Sequence, residues 1–485
     1  MAQASEIVPG FDRRTAEALA NRQLKIAIDR TAGTARAKRA AIVGEWPDFA
    51  VARAHGKAIK DHVVAHLGHY LAEFERNAVA SGAVVHFART ADEAATIVVG
   101  ICEAAGAKRV TRSKSMLGEE IGLPHALEAA GIERTETDLA EHIVQLAGER
   151  PSHIIWPAMH KTREEIHELF KAGHAAPDLG ETPVEMAASA RRILREKFHA
   201  ADVGISGANF LIADSGSVAV VTNEGNAELT TTLPPVHIVT AGIEKLVPSA
   251  GHALQMLRLL VRSATGAAMT QYTTFHTGPK RAGDADGPRE FHIVLVDNGR
   301  TRMLAEEGGL RDMLRCIRCG ACMNHCPVFN QIGGHAYGGT YPGPMGAVLT
   351  PALDGLSMQT RDLAHACTLN GRCREVCPVD IPLPTLLRGW RTKSWREGLE
   401  PVTMRSGLSL WRSLATHPLA YRLGVAAASL ALRLMAGRSR RIRRLPLVGG
   451  AWTRHRDMPA PSGSTFLNSA AARARAPGRG KGEIR

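Results

Sequence analysis

The chain has 485 residues, and its 45% hydrophobic and 22% charged residues are the proportions of an ordinary globular protein. That length gives room for about three domains of roughly 100–200 residues each. The formal net charge is +13, but residues 388–485 contain 20 Lys and Arg against 4 Asp and Glu, which leaves 40 against 43 for the rest. The net positive charge therefore comes from the C-terminal tail alone. The rest of the chain has a small net charge, which does not indicate what it binds.

The first 300 residues have two patterns in succession. Residues 1–80 carry apolar side chains at helical spacing and predict an N-terminal helical segment. Residues 81–300 alternate short β-rich runs with helical stretches, which predicts βαβ units, a largely parallel sheet and an α/β fold class. The strands expected in this domain are residues 83–87, 109–111, 153–156, 210–213, 218–221, 236–239 and 292–296.

Several polar motifs follow these predicted strands, at the sheet edge where open α/β sheets bind ligands. A lysine between two serines is suited to an anionic group, and a glutamate and a histidine are suited to acid–base chemistry. Each residue alone could equally cap a helix, complete a turn or pair a charge. The residues of this candidate pocket are Ser113, Lys114, Ser115, Glu120, His160, Asp214, Ser215, Gly216, Asn223 and Glu224.

Seven of the eight cysteines lie within residues 316–377. The first four match C-x2-C-x2-C-x3-C-P, the spacing of two-cluster bacterial ferredoxins, in which the fourth cysteine ligates the other cluster. Zinc sites favour two separated pairs of cysteines, so zinc is the poorer reading of four cysteines in eleven residues. We therefore expect one cluster to take Cys316, Cys319, Cys322 and Cys377, and the other to take Cys326, Cys367 and Cys373.

The second run of cysteines departs from the pattern at one position. Three residues after Cys367 the chain has Asn370, where a fourth thiolate is expected. The first cluster is expected to be a [4Fe-4S] cluster. The second cluster could be a [3Fe-4S] cluster or a [4Fe-4S] cluster with a non-cysteine ligand. The [4Fe-4S] cluster with a non-cysteine ligand is favoured. Because such clusters need reduced thiols, we expect a cytoplasmic protein.

The C-terminal part divides into an α-helical double-cluster domain, residues 301–395, and a basic region, residues 396–485, which its composition predicts to be disordered after about residue 459. The apolar run Leu423–Leu432 has ten residues, and a bilayer span needs about 20. With five arginines in residues 438–444, this region suits the inner membrane face or an acidic protein. Nucleic acid is not expected, because no recognised binding module accompanies the charge.

As an ordered set, the motifs resemble the lactate-utilisation protein B family. The resemblance rests on residues 111–116, 119–120, 157–161, 213–217, 222–226 and 333–347 together with the cysteine runs. It implies that residues 81–300 form a LUD domain with a sheet like that of CoA-transferases and sugar-phosphate isomerases. It also implies an iron–sulfur subunit that transfers electrons during oxidation of L-lactate to pyruvate, together with the other subunits of a lactate-utilisation complex.

On that reading the chain is a non-catalytic or co-catalytic subunit of an NAD-independent L-lactate dehydrogenase complex. No cysteines remain for a further cysteine-rich module, so the hydroxyacid-oxidising centre is expected wholly or partly on a partner. Other functions stay open. One is an α/β enzyme of acyl or CoA chemistry with structural or regulatory clusters, another is a subunit for a different 2-hydroxy acid such as glycolate, and a weaker one is a redox or iron sensor.

Overall fold

The computed structural model describes residues 10–306, 308–446, 450, 452–454 and 456–462. The chain forms two compact units, Met1–Leu399 and Glu400–Arg485. The disorder expected after residue 459 falls mainly on residues 463–485, which lie outside the described ranges.

The first unit opens with helices, as the apolar spacing predicts. Phe74 and Ile28 are fully buried in this segment, so the helices pack against the rest of the unit. The helices are α1 (Phe11–Ala20), α2 (Arg22–Gly44), α3 (Phe49–Ala65) and α4 (Leu67–Ala80).

A run of alternating strands and helices follows. Two helices have side-chain caps at their N-termini: Thr90 accepts a hydrogen bond from the Glu93 N–H, and Asp138 accepts from the N–H groups of Ala140 and Glu141. The elements are β1 (Val84–Ala88), α5 (Ala91–Ala104), β2 (Arg109–Arg112), α6 (Met116–Glu120), α7 (Leu123–Ala129), β3 (Glu133–Glu136), α8 (Leu139–Leu146), α9 (Arg163–Gly173) and α10 (Pro183–His199). They continue with β4 (Val203–Gly207), β5 (Phe210–Ile212), β6 (Ser217–Thr222), α11 (Asn226–Thr232), β7 (Val236–Gly242), β8 (Leu246–Val247), α12 (Ala250–Ala264), β9 (Tyr272–His276), β10 (Glu290–Val296) and α13 (Arg300–Ala305).

Two sheets form from these strands. The larger is parallel throughout, in the order β1-β10-β7-β4-β2-β3, and confirms the predicted α/β class. Every residue of β7 is buried, as a central strand covered on both faces requires. The smaller sheet has the order β8-β5-β6-β9, with antiparallel pairs on both sides of β6.

The strand expected at residues 153–156 is wrong, because the structure has bends there. His153 Nδ1 accepts hydrogen bonds from the N–H groups of Ile155 and Trp156, and the two rings of His153 and Trp156 stack with centroids 5.2 Å apart. These local bonds use the backbone donors that a strand would need for its ladder.

Short helices dominate the cysteine-rich part of the unit. A longer helix follows the second cysteine run, and its Trp390 is buried and donates to the Val348 carbonyl at 3.1 Å. The helices are α14 (Ala321–Asn324), α15 (Phe329–Ile332), α16 (Gly343–Asp354), α17 (Arg361–His365), α18 (Arg372–Glu375) and α19 (Leu383–Arg396).

Within its described residues, the second unit contains two α-helices, α20 (Val402–Ala415) and α21 (Pro418–Ala436), and a strand pair, β11 (Arg441–Ile442) and β12 (Met458–Pro459). In the described part of the chain, the segment Pro418–Ser439 is long enough and apolar enough to cross a membrane. The sequence expectation considered only ten apolar residues, but the helix continues past the flanking arginines. Length and composition alone do not separate a spanning helix from one that lies on a surface.

Candidate iron–sulfur sites and the adjoining cavity

The first cysteine-bearing segment, residues 316–326, is called here the first arm. Arg318 has a φ of 59° and Gly320 has a φ of 71°, and α14 begins directly after this glycine. Left-handed backbone at two positions this close turns the chain sharply around a small volume. An added Cβ on Gly320 would lie 3.1 Å from both His153 and Ile155, so the arm also packs tightly against the bends at residues 153–156.

The second arm, residues 367–377, repeats this backbone plan. Leu369 has a φ of 55° and Gly371 has a φ of 84°, and α18 begins directly after the glycine. Asn370 therefore stands where the first arm has Cys319. Its side chain is exposed, and its Oδ1 accepts a hydrogen bond from the Arg372 N–H at 3.1 Å.

The thiols of the two arms interact electrostatically as two sets, and each set draws on both arms. One set contains Cys316, Cys319, Cys322 and Cys377. The other contains Cys326, Cys367 and Cys373. Cys322 also interacts with Cys373 of the other set, so the two sets are neighbours. The structure thus brings together the residues that the sequence assigned to each cluster.

The donor set fits iron–sulfur clusters. All eight cysteines of the chain are free. Burial, with a smaller contribution from neighbouring thiols, raises the pKa of Cys319 and Cys373 to about 12 and that of Cys377 to about 11. Thiolates in such surroundings need nearby positive charge, which bound iron supplies.

Backbone donors point at sulfur in both sets. The N–H groups of Phe329, Leu369 and Ile381 lie 3.5, 3.3 and 3.4 Å from the Sγ atoms of Cys326, Cys367 and Cys377 respectively. The buried Tyr337 forms a side-chain hydrogen bond with Cys326. Such bonds to cluster-ligating sulfurs help to set the reduction potential.

Arginines of the N-terminal helices hold the ends of the short helices in the two arms. Arg36 donates to the Asn324 carbonyl and Arg39 to the Val376 carbonyl, each at 2.9 Å. Arg53 donates to the Cys377 carbonyl at 2.6 Å. Arg39 is 8% exposed and interacts electrostatically with both Cys319 and Cys377. Sequence reasoning missed this role, because nothing near these arginines in the chain indicates a distant partner.

A cavity of about 260 Å³ lies at the carboxyl ends of the strands of the parallel sheet and reaches the first arm. Ile317 and Arg318, which lie between Cys316 and Cys319, form part of its wall. Of the expected pocket residues, the structure brings these to the cavity: Ser113, Lys114, Ser115, Asn223 and Glu224. The α/β domain and the first arm therefore share one cavity.

Buried charges line the side of the cavity nearest the first arm. Glu244 is 3% exposed and pairs with Arg300 and with Arg318, the latter at 3.3 Å. Burial alone would raise the pKa of Glu244, but the two arginines lower it to about 2. Burial and, to a smaller extent, the charge of Arg318 lower the pKa of Lys245 to about 8. These residues follow strand β7 directly, so the rule that parallel sheets bind ligands at their carboxyl ends could have found them.

The structure places the other expected pocket residues elsewhere. Glu120 forms a bidentate ion pair with Arg300, with N–O distances of 2.8 and 2.9 Å, and accepts a hydrogen bond from Tyr341 at 2.6 Å. Asp214, Ser215 and Gly216 form a turn whose glycine packs against the backbone of Ala78.

His160 belongs to a separate ion-pair network. Its Nε2 lies 2.6 Å from a Glu149 carboxylate oxygen, and its Nδ1 lies 2.7 Å from Ser152 Oγ. His335 brings a third potential metal ligand within 4.8 Å of the other two. Lys161 also pairs with Glu149, so this carboxylate is already balanced without a metal ion.

Three family models match successive parts of the chain: the LUD domain at residues 71–296, the 4Fe-4S dicluster domain at residues 312–381, and the lactate utilisation protein B C-terminal domain at residues 385–475. These spans follow the order of the α/β domain, the two arms and the second unit.

Curated relatives match over nearly the whole chain. Lactate utilization protein B of Lysinibacillus sphaericus is 40% identical, with 94% of this chain and 96% of the relative covered. The protein of the same name from Macrococcus caseolyticus is 42% identical over 87% of this chain and 88% of its own. An Escherichia coli protein described as "Uncharacterized electron transport protein YkgF" is 40% identical over 93% and 92%.

A crystal structure of a DUF162 family protein from Deinococcus radiodurans is similar at 14% identity and a TM-score of 0.27, over 47% of this chain and 98% of that chain. The family assignment rests on the sequence relatives and the three family models. With matches of 40% identity or more along almost its full length, the chain belongs to the lactate utilization protein B family.

Proposed function

We propose that this protein is the electron-transfer subunit of an L-lactate-oxidising complex. It accepts electrons from a hydroxyacid-oxidising centre that lies wholly or partly on a partner subunit and delivers them to an acceptor. The names of its relatives supply lactate utilisation and electron transport. The 4Fe-4S dicluster match supplies the cofactor class.

One observation supports this proposal most directly: the two cysteine sets are neighbours with different surroundings. The first arm adjoins the cavity of the α/β domain through Ile317 and Arg318. The second arm exposes Thr368, Leu369 and Asn370 at the surface. Iron–sulfur clusters accept and release single electrons. A pair that runs from this cavity to a separate exposed segment suits a relay between two partners.

The cysteines of this chain form two groups, one for each cluster. We propose that Cys316, Cys319, Cys322 and Cys377 hold a [4Fe-4S] cluster, and that Cys326, Cys367 and Cys373 hold a second one. Because Asn370 Oδ1 already accepts the Arg372 N–H, solvent is favoured over this amide as the fourth ligand of the second cluster. The apolar residues around the arms, including the buried Phe329 and Val379, keep water away from the other ligands.

The test is an anaerobic pull-down with the full chain as bait, followed by electron paramagnetic resonance before and after addition of L-lactate. We expect reduced-cluster signals only when the captured partners and L-lactate are both present. Oxidation of L-lactate by the purified chain alone at the rate of the complex would overturn the proposal. A colourless preparation that contains zinc in place of iron and sulfide would also overturn it.

We also propose that the second unit attaches the complex to the cytoplasmic face of an anionic membrane. Trp411, Leu419 and Leu423 are 62%, 74% and 72% exposed, and five arginines lie within residues 438–444. Exposed apolar residues beside basic ones are typical of helices that lie in the lipid interface. An acidic protein face is the alternative partner for the same charge.

Vesicle flotation separates these two partners. We expect the full chain to float with anionic vesicles and not with neutral ones, and to be released by salt. Trp411→Ser combined with Leu423→Ser should reduce flotation. Failure to float with either vesicle, together with salt-sensitive binding to another subunit of the complex, would favour the acidic protein.

A further inference from the structure

The charged side chains that line the cavity beside the first arm are nearly all paired. Lys114 donates to the Ile155 carbonyl and lies 3.9 Å from the carboxylate of Asp138. Glu224 accepts the Asn223 N–H at 3.2 Å. Glu244, Arg300 and Arg318 form the network described above.

Lys245 is different. It lines the same cavity, and the described residues give its ammonium group no hydrogen bond and no ion pair within 4 Å; Glu244 and Cys316 act on it only at longer range. Nearby Lys60 is fully buried but donates to the carbonyls of Glu244 and Leu246, so its charge is solvated by the backbone. A largely buried cation without a partner costs free energy unless something in the cavity balances it.

A second polar atom in the cavity wall also lacks a partner. Asn226 is 6% exposed and lines the cavity, and its side-chain oxygen has no hydrogen-bond donor among the described residues. Buried polar atoms in native proteins nearly always have a partner, which can be a ligand or water. The cavity wall therefore contains one cation and one hydrogen-bond acceptor without partners. A molecule that carries an anionic group and a hydrogen-bond donor would satisfy both.

The size of the cavity limits that molecule. At about 260 Å³ the cavity is below the roughly 300–1,000 Å³ of pockets that enclose drug-sized ligands. This size favours a short organic acid over a dinucleotide or coenzyme A. The walls contributed by Ile155, Trp156, Val221 and Leu260 are apolar and suit a carbon skeleton.

The charge balance limits it further. Asp138, Glu224 and Glu244 also line the cavity, so a dianion such as phosphate would bring a second negative charge close to three carboxylates. A monoanion matches the single unpartnered ammonium group of Lys245. The carboxylate supplies that charge, and a hydroxyl group supplies a donor for Asn226.

We infer that this cavity binds a small hydroxycarboxylate, with Lys245 as its carboxylate anchor and Asn226 as an acceptor for its hydroxyl group. The inference rests on the proposed function only in the choice of L-lactate as the probe. It assigns the α/β domain a ligand site that adjoins the first arm. It also makes Lys245 and Asn226 binding residues that the sequence motifs did not include.

The experiment is anaerobic isothermal titration of the cluster-loaded full chain with L-lactate, pyruvate, acetate and inorganic phosphate. We expect L-lactate to bind most tightly, and Lys245→Met to weaken it by about tenfold or more, as loss of a charge-assisted hydrogen bond does. Lys245→Arg keeps the charge and should retain most of the affinity. Lys108→Met, at an exposed lysine outside the cavity, should bind like the parent chain.

Asn226→Ala should remove the preference for L-lactate over pyruvate without abolishing carboxylate binding. Binding of phosphate in preference to all three acids would overturn the inference, as would no binding, or L-lactate binding that is unchanged in Lys245→Met. Iron and sulfide content is measured on every variant, so a site lost through misfolding is recognised. Electron paramagnetic resonance with the partners tests the proposed function independently of these titrations.

Discussion

The two arms have the same backbone plan and different surroundings. Both place a left-handed residue before the second ligand position and a left-handed glycine after it. In the first arm the second ligand position is the buried Cys319, and in the second arm it is the exposed Asn370. The comparison shows that the backbone sets the positions of the cluster ligands. The residue type at the second ligand position and its exposure then distinguish the two clusters.

Removal of the first cluster should have the largest effect. Cys316→Ser replaces a thiolate by a much weaker ligand, so we expect loss of first-cluster iron and loss of L-lactate-dependent electron transfer by the complex. Turnover of the reconstituted complex and iron content measure this. Cys102→Ser, at a buried cysteine of α5 outside both sets, is the control and should keep activity. Intact turnover without the first cluster would favour the α/β enzyme hypothesis.

The second prediction removes the difference between the arms. In the parent chain, brief exposure to air should release the iron that no thiolate holds and give the resonance signal of a three-iron cluster. Asn370→Cys supplies a fourth thiolate and should suppress that signal. Asn370→Ala provides no thiolate and should behave like the parent chain. A signal of equal size in the cysteine variant would show that the converted iron does not lie next to residue 370.

The third prediction concerns the charge of Arg39, which acts on cysteines of the first set. Arg39 interacts with Cys319 and Cys377, both of the first set, so its positive charge stabilises the reduced first cluster. Arg39→Met should lower the potential of that cluster by on the order of 60 mV, the one-electron equivalent of a tenfold change in equilibrium constant. Redox titration followed by electron paramagnetic resonance measures it. Arg39→Lys should restore most of the potential, and the exposed Arg30→Met should leave it unchanged.

The smallest effect concerns the two glycines. Alanine at either Gly320 or Gly371 must adopt a left-handed conformation, at a cost of roughly 1–2 kcal/mol. The added Cβ would lie 3.1 Å from His153 and Ile155 at Gly320, but it meets nothing within 4 Å at Gly371. We therefore expect Gly320→Ala to lower the free energy of unfolding by about 1 kcal/mol more. Anaerobic denaturant titration measures the difference, and equal losses would contradict the tight packing.

The sequence predicted the features that depend on short-range spacing. The cysteine pattern and the α/β class both follow from residues close in the chain. The prediction of a strand at residues 153–156 was wrong because the His153 ring accepts hydrogen bonds from the backbone N–H groups of Ile155 and Trp156. A run of apolar residues does not reveal such bonds.

The cavity could be predicted only in part. Lys114 and its neighbouring serines lie at a strand end and were identified. Lys245, Arg300 and Arg318 reach the same cavity from three separate parts of the chain, and Arg318 comes from within the cysteine motif itself. Glu120 was expected in the pocket because it follows the serines closely, but it pairs with the buried guanidinium of Arg300 and does not line the cavity.

The arginines of α2 and α3 have a consequence for biosynthesis. Arg36 and Arg39 bind carbonyls 288 and 337 residues further along the chain. At a translation rate of about 5–20 residues per second, the nascent helices wait roughly 14–67 s before those carbonyls are made. Cys377, which completes the first set, is synthesised directly after Val376. All six strands of the parallel sheet are therefore made before the first set of cysteines is complete, so we expect insertion of the first cluster to follow synthesis of the α/β domain.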